Sequence, residues 1–156
     1  MTRVPLTPNF FLDEFIDPSI YAERGARSRE LLDYRMPIAV QAVYDACKED
    51  YGDSFHGLLI NTWANSKQKV KRRERGLRQF NTRTGAKWSQ HKYGRAVDLQ
   101  PLGISIRQLY DAIKKREKFF IERQLITTIE NLKSTPTWLH IDCRFTGLSR
   151  FLIVDP

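Results

Sequence analysis

The segment WSQHKYGRAVDLQ, residues 88–100, places a histidine, His91, seven residues before a carboxylate, Asp98. Residues 95–100 contain the apolar run AVDL and follow Gly94, which predicts a short β-strand entered through a turn. Asp98 has apolar neighbours in this strand, and burying a carboxylate without a partner is energetically costly. The segment therefore predicts a strand whose carboxylate is bound by another group.

A second predicted strand, residues 137–144 (TWLHIDCR), offers that group. Side chains alternate between the faces of a strand, so His140 and Asp142 share one face while the other face is apolar. If the two strands are neighbours, Asp98 meets His140, and His91 reaches both from the preceding loop. Two histidines and an aspartate suit a catalytic Zn²⁺, which keeps a fourth position open for water.

Helical patterns lie before and between the predicted strands. A pattern with an apolar stripe covers residues 28–51 and ends at Gly52, with Pro37 breaking it or starting its second piece. Ser105 begins a later helix, because Gln108 three residues on completes a capping box.

Further strands are predicted over residues 55–64 and 125–130, with an edge strand in residues 149–156. Helices followed by strands with one helix between them indicate an α+β class with a mostly antiparallel sheet flanked by helices. A single domain is expected over residues 1–156, with residues 1–27 as a docking segment and the motif core at about 55–145.

The composition is that of a globular chain, with 41% apolar residues. No run approaches the ~18 apolar residues of a membrane span. No apolar leader opens the chain, so we expect the protein to be made in the cytoplasm, with any action outside it requiring another delivery route. We also expect a monomer. Cys47 and Cys143 are expected to be two buried small hydrophobes and not a disulfide.

The net charge of +8 predicts a polyanionic partner, such as nucleic acid, an anionic membrane or an acidic cell-wall polymer. The densest basic run is KQKVKRRERGLR, residues 67–78, and a solvated helical face explains it equally well. No zinc-finger spacing or RNA-binding aromatic motif accompanies the run. A nucleic-acid partner is therefore disfavoured, because it would depend on charge alone and would give no reason for the His91, Asp98 and His140 set.

SQHKYGRAVDL resembles the Ser-x-His-x-x-Gly-x-Ala-x-Asp signature of the zinc D-alanyl-D-alanine carboxypeptidase family and its peptidoglycan L,D-endopeptidase relatives. WLHID resembles the family's closing Trp-x-His block, and the resemblance is closest to the short bacteriophage-type branch. The positions that match the signature are Ser89, His91, Gly94, Ala96 and Asp98. The resemblance implies a small α+β fold, a Zn²⁺ held by His91, Asp98 and His140, and hydrolysis of peptidoglycan stem peptides by a phage lysis or virion-associated enzyme.

The resemblance also implies substrate-binding residues. Family members carry a Ser-Gly-x-Arg block whose arginine binds substrate, and here Arg78 follows Gly76 without the serine. A guanidinium suits a peptide carboxylate, and we expect Arg78 to be exposed in its basic neighbourhood. The alternative is that Arg78 is one more charge of the basic run. Ser89 is expected either to hydrogen-bond near the site or to cap its loop.

The general base is the point at which the chain departs from the family. Many relatives place a carboxylate three residues before the last histidine, where this chain has Thr137. Glu130, at the end of a predicted neighbouring strand, is the favoured base, with Asp142 supporting a ligand or pairing with Arg144. Thr137 keeps open a second hypothesis, a catalytically inactive zinc-containing module that binds the cell wall or serves as a structural part.

Overall fold

The computed structural model of the protein describes residues 3–133 and 137–155. Its helices and strands confirm the predicted α+β class. The α-helices are α1 (Leu12–Phe15), α2 (Pro18–Arg24), α3 (Arg35–Tyr51), α4 (Ile106–Lys115) and α5 (Glu117–Glu122). The strands are β1 (Gly57–Leu59), β2 (Ala96–Leu102), β3 (Thr128–Glu130), β4 (Leu139–Asp142) and β5 (Leu152–Val154). Short 3₁₀ helices cover Gly25–Leu31, Gly52–Ser54 and Gln90–Tyr93.

The five strands form one sheet in the order β1-β2-β4-β3-β5. The pairs β1–β2, β2–β4 and β3–β4 are antiparallel, and β5 joins the edge beside β3 in parallel. The prediction of an edge strand near the C-terminus is thereby confirmed. The two strands that carry Asp98 and His140 are direct neighbours, as the sequence predicted.

One face of the sheet packs into the hydrophobic core. Leu99, Ile129, Leu139 and Ile141 are fully buried on that face, and α4 contacts both β2 and β4. Burying one such side chain stabilises the fold by about 1.5–3 kcal/mol. Since side chains alternate between the two faces of a strand, the other residues of these strands point to the opposite face, where the polar side chains lie.

One helical prediction changes in its bounds and another is confirmed. The pattern predicted over residues 28–51 is a 3₁₀ helix, Gly25–Leu31, followed by α3 from Arg35. Pro37 therefore lies in the first turn of α3, where its missing N–H removes no helical hydrogen bond. The capping box of Ser105 and Gln108 at the start of α4 is confirmed.

The chain between β1 and β2 has no regular secondary structure apart from the 3₁₀ helix at Gln90–Tyr93. The strand predicted over residues 55–64 is limited to Gly57–Leu59, because the backbone N–H of Asn61 donates to the carbonyl of Glu14 at 3.1 Å and not to a neighbouring strand. The Asn61 side chain accepts from the backbone N–H of Arg75 at 2.8 Å and donates to the carbonyl of Ile16 at 3.0 Å. The basic run at 67–78 is irregular, so its interpretation as a helical face is wrong.

Cys47 and Cys143 are both free and buried, as expected. In the part of the chain that the structure describes, none of the helices is long and apolar enough to cross a membrane.

Candidate active site

Three polar residues form a row across the middle strands of the sheet. Asp98 on β2 is the direct cross-strand partner of His140 on β4. The register of β3 against β4 pairs Ile129 with Ile141, and continuing it by one residue places Glu130 beside His140. Opposed residues on one sheet face have Cβ atoms about 4.5–5.5 Å apart. The sheet thus brings Asp98, His140 and Glu130 together on the face opposite α4.

His91 reaches this row from the 3₁₀ helix that precedes β2. Gly94 ends that helix with a φ of 66°, a left-handed conformation that favours glycine. A Cβ at Gly94 would also lie 2.3 Å from the carbonyl oxygen of Leu31. The turn predicted at Gly94 is therefore confirmed, and it directs the chain from His91 into β2.

The side chain of His91 is buried and held in one orientation. Its Nδ1 donates to the carbonyl oxygen of Gly76 at 2.9 Å. A carbonyl only accepts, so Nδ1 carries the proton and Nε2 is directed at the row of polar residues. Sequence reasoning did not single out Gly76 for this role.

Gly76 can take this position because it has no side chain. A Cβ there would lie 2.2 Å from the carbonyl oxygen of Phe15, at the end of α1. The next residue, Leu77, donates its N–H to the same carbonyl at 2.7 Å. This close approach to α1 fixes the backbone of residues 76–78. That backbone supplies the carbonyl that accepts from His91 and carries the side chain of Arg78. In the sequence, the glycine within the charged stretch RERGLR was the feature that could have indicated this close approach.

His91, Asp98 and His140 offer three ligand atoms that surround one point. Nε2 of His91 lies 3.1 Å from Oδ1 of Asp98 and 3.1 Å from Nδ1 of His140. The third side of the triangle, from Nδ1 of His140 to Oδ1 of Asp98, is 3.0 Å. Ligand atoms of a tetrahedral zinc site, at about 2.0–2.1 Å from the metal, lie about 3.3 Å apart. This buried group could therefore bind a metal ion.

Asp142 orients the imidazole of His140 through a hydrogen bond. Its Oδ2 lies 3.1 Å from Nε2 of His140, so that this nitrogen donates and Nδ1 remains for the centre of the site. Asp142 is fully buried, and Nε of Arg144 donates to both of its oxygens at 2.9 and 3.0 Å. The contact with His140 and the Arg144 pair considered from the sequence are thus both present. Fixing a ligand's tautomer in this way is typical of metal sites.

Arg78 holds the second oxygen of Asp98. Its Nη2 donates to Oδ2 of Asp98 at 3.0 Å, and its Nε donates to the carbonyl of Glu74. The backbone N–H of Arg78 also donates to the carbonyl of His91 at 3.1 Å. The arginine is only 9% exposed, so the expectation of an exposed Arg78 is wrong. The reason is that the chain turns inward at Gly76 and carries Arg78 beneath the site.

The carboxylates at the site stabilise positive charge on the imidazole of His140. Burial raises the pKa of Asp98, but His91 and His140 outweigh it and hold that pKa well below its usual range. Burial lowers the pKa of His140, but hydrogen bonds to Asp142 and Asp98 raise it to about 9. The pKa of His91 is lowered, chiefly by burial. Asp98 and Asp142 thus stay ionised and attract positive charge to the imidazole between them.

The triangle lies in a cleft of about 470 Å³. Glu130 is 6% exposed and lines this cleft. Ser89 lines it too, and its side chain makes no capping bond to the 3₁₀ helix. Trp138 forms part of the wall, and Thr137 before it is exposed. A larger hollow of about 630 Å³ near Asp33 contains none of the three ligand residues.

The structure thus brings together His91, Asp98, His140 and Glu130, with Arg78 and Asp142 in contact with the ligands. Sequence reasoning treated Arg144 only as a partner of Asp142, yet it also borders the cleft. Comparisons with protein-family models, with curated proteins and with solved structures found no match to the chain. Function is therefore inferred from the geometry of the site together with the sequence signature.

Proposed function

We propose that the protein is a zinc metallopeptidase that hydrolyses peptide bonds in peptidoglycan stem peptides. One observation carries the proposal: Nε2 of His91, Oδ1 of Asp98 and Nδ1 of His140 lie within 3.1 Å of one another in an open cleft. Two imidazole nitrogens and one carboxylate oxygen suit Zn²⁺ with one position left for water or substrate. The signature around Ser89, His91 and Asp98 supports the same assignment.

Zinc in such a site supplies Lewis-acid chemistry, polarising a peptide carbonyl and making water nucleophilic at neutral pH. The chain's own residues move the protons. Glu130 accepts a proton from the attacking water on its carboxylate and returns it to the amine that leaves. Asp142 keeps Nε2 of His140 protonated throughout, so that Nδ1 stays directed at the reacting centre.

The substrate is held by the residues that line the cleft beside the triangle. Arg78 donates from Nε and Nη2 to acceptors within the protein. We assign the rest of its guanidinium group to a carboxylate of the stem peptide. Ser89, beside it in the cleft, offers a hydroxyl to the substrate backbone. The chain acts as a monomer on the cell wall, delivered by phage lysis machinery, by a virion or by another route.

Digestion of purified peptidoglycan tests the proposal. The protein is incubated with it in three arms: untreated, with a chelator, and with a chelator followed by excess zinc. Mass spectrometry of the soluble products should show cleaved stem peptides in the first and third arms and none in the second. The masses of the products also identify which bond is cut and whether the enzyme is a carboxypeptidase or an endopeptidase.

An inactive zinc-containing module is the outcome that contradicts this proposal. In that case no new products form in any arm, although the protein binds one zinc per chain. Thr137 is the reason to consider this outcome, because many members of the family that the sequence resembles carry a carboxylate at that position.

A further inference from the structure

The net positive charge of the protein comes from one segment, residues 67–95. These residues include eleven Lys or Arg and a single acid, Glu74, whereas the whole chain has 26 basic and 18 acidic residues. The segment therefore carries +10, and the remaining 15 basic and 17 acidic residues carry −2. The same segment contains His91 and most of one wall of the cleft.

Four cations near the start of this segment are exposed, and we call them the basic strip. They alternate with other residues along the chain: Lys67, Lys69, Lys71 and Arg73. Within residues 3–133 and 137–155, no carboxylate lies within 4.0 Å of their charged nitrogens. Lys71 donates to the carbonyl of Asn65, which leaves its charge uncompensated.

The basic residues of α4 and α5 show the opposite arrangement. Arg107 pairs with Asp111 at 3.1 Å, and Lys114 pairs with Glu117 at 2.8 Å. Arg116 lies 2.7 Å from Asp50. The basic residues of this helical region are thus offset by acidic neighbours, whereas the basic strip places four exposed cations close together in sequence without such partners in the described part of the chain.

The basic strip is held in place by Thr62. The Thr62 hydroxyl donates to the carbonyl of Val70 at 2.6 Å and accepts from the N–H of Arg72 at 2.9 Å. The N–H of Thr62 donates to the carbonyl of Arg72 at 2.9 Å. These bonds anchor the backbone of the strip although it belongs to no helix or strand.

From the basic strip the chain runs directly into the cleft. The guanidinium of Arg75 lies over the ring of Trp138, 5.4 Å from its centre, and Trp138 lines the cleft. Further along the same segment, Nζ of Lys87 lies over the ring of Trp88, 5.2 Å from its centre, and Trp88 also lines the cleft. A chain molecule with its reactive part in the cleft would therefore extend over uncompensated positive charge.

We propose that the basic strip is a docking site for the anionic polymer of the cell wall, and that it holds the wall while a stem peptide occupies the cleft. This inference rests on the proposed function. The occupant is the phosphodiester polymer attached to the wall, because its repeating phosphates present a row of anions to the four closely spaced cations, whereas the stem-peptide carboxylate is assigned to Arg78 in the cleft. Closely spaced uncompensated cations bind such a row by releasing its counterions.

Binding to insoluble walls tests the proposal without requiring turnover. Sedimentation is measured with a chelator present, using a variant with Lys67→Gln, Lys69→Gln, Lys71→Gln and Arg73→Gln. The matched control carries four equal charge changes at exposed positions outside the segment: Arg27→Gln, Arg29→Gln, Lys118→Gln and Arg150→Gln. Melting curves establish that both variants are folded.

We expect the strip variant to bind intact walls about 10–30-fold more weakly than the parent at low salt, as four exposed ion contacts would give. The control should stay within about twofold, and raising the salt should remove the difference. Walls stripped of phosphodiester polymers test the occupant: strip-dependent binding should be lost, and strip-dependent binding that is retained on stripped walls would overturn the proposal.

Two further outcomes overturn the proposal. Equal losses in the strip variant and the control mean that net charge alone governs binding. Strip-dependent binding that is tighter to duplex DNA than to walls makes nucleic acid the partner. Because sedimentation does not depend on hydrolysis, failure of the wild type to cleave peptidoglycan would contradict the proposed function while leaving this result interpretable.

Discussion

Arg78 and Asp98 form a buried ion pair, with Nη2 of the arginine 3.0 Å from Oδ2 of the aspartate. The other oxygen of Asp98 faces His91 and His140. One carboxylate thus joins the protein interior to the proposed metal, and its orientation depends on the arginine. The family resemblance assigns a substrate role to Arg78, whereas the ion pair also makes it a support for a ligand.

Replacing Arg78 should therefore weaken metal binding. We expect Arg78→Ala to reduce zinc affinity about 10–100-fold, the usual loss when a residue that orients a ligand is removed. Competition with a chromophoric chelator measures this affinity. Arg83→Ala is the matched control, because Arg83 is exposed in the same basic segment. Unchanged zinc affinity together with a raised KM for peptide would show that Arg78 acts on substrate alone.

Zinc should bind once per chain and stabilise the fold. At a free zinc concentration of about 100 times Kd, binding adds about 2.7 kcal/mol to the free energy of unfolding. His140→Ala should abolish this stabilisation, because it removes one ligand of the triangle. Thermal melting with and without zinc measures it, and His56→Ala is the control because His56 is exposed outside the site. A zinc-dependent melting shift that survives His140→Ala would disprove the ligand assignment.

The proximity of Asp98 and His140 was predictable because the geometry of a strand determines which face each side chain occupies. Alternation places His140 on a polar face, and the apolar surroundings of Asp98 require a partner for it, so two neighbouring strands suffice to bring them together. The register, with Asp98 directly opposite His140, could not be predicted, since it depends on the hydrogen bonds between β2 and β4. The connection between β3 and β4 includes residues 134–136, which lie outside the described residues.

The environment of Arg78 was not predictable from its neighbours in sequence. A run of basic residues usually indicates an exposed surface, and Lys67–Arg73 follows that rule. Arg78 departs from it because of a contact distant in sequence, in which Gly76 approaches the backbone of Phe15. Tertiary packing of this kind leaves only a weak signal in the sequence, a glycine within a charged run.

The pair of Asp50 and Arg116 should make stability depend on pH. Hydrogen bonds from Arg116 lower the pKa of Asp50 below its ordinary value of 3.8. A lowered folded-state pKa contributes stability above pH 3.8 that is lost as the pH falls through the folded value. Asp50→Asn should therefore cost about 1 kcal/mol at pH 7 and progressively less below pH 4.

Urea unfolding at pH 7, 5 and 3 measures the Asp50 effect. Asp53→Asn is the control, because Asp53 is fully exposed and lies 3.6 Å from Lys48. It should change the unfolding free energy little at any of these pH values. A cost of Asp50→Asn that is the same at pH 3 as at pH 7 would contradict the assignment to ionised Asp50.

Glu130 should be the general base, because it lies in the row with Asp98 and His140 and lines the same cleft. Glu130→Gln keeps the shape of the side chain and removes its capacity to accept a proton. We expect the variant to retain zinc and its melting temperature while kcat falls about 10²–10⁴-fold. Asp142→Asn should instead weaken zinc binding, since Asp142 acts through Nε2 of His140. If Asp142→Asn is inactive with zinc retained while Glu130→Gln cleaves peptidoglycan at the parent rate, the two roles are reversed.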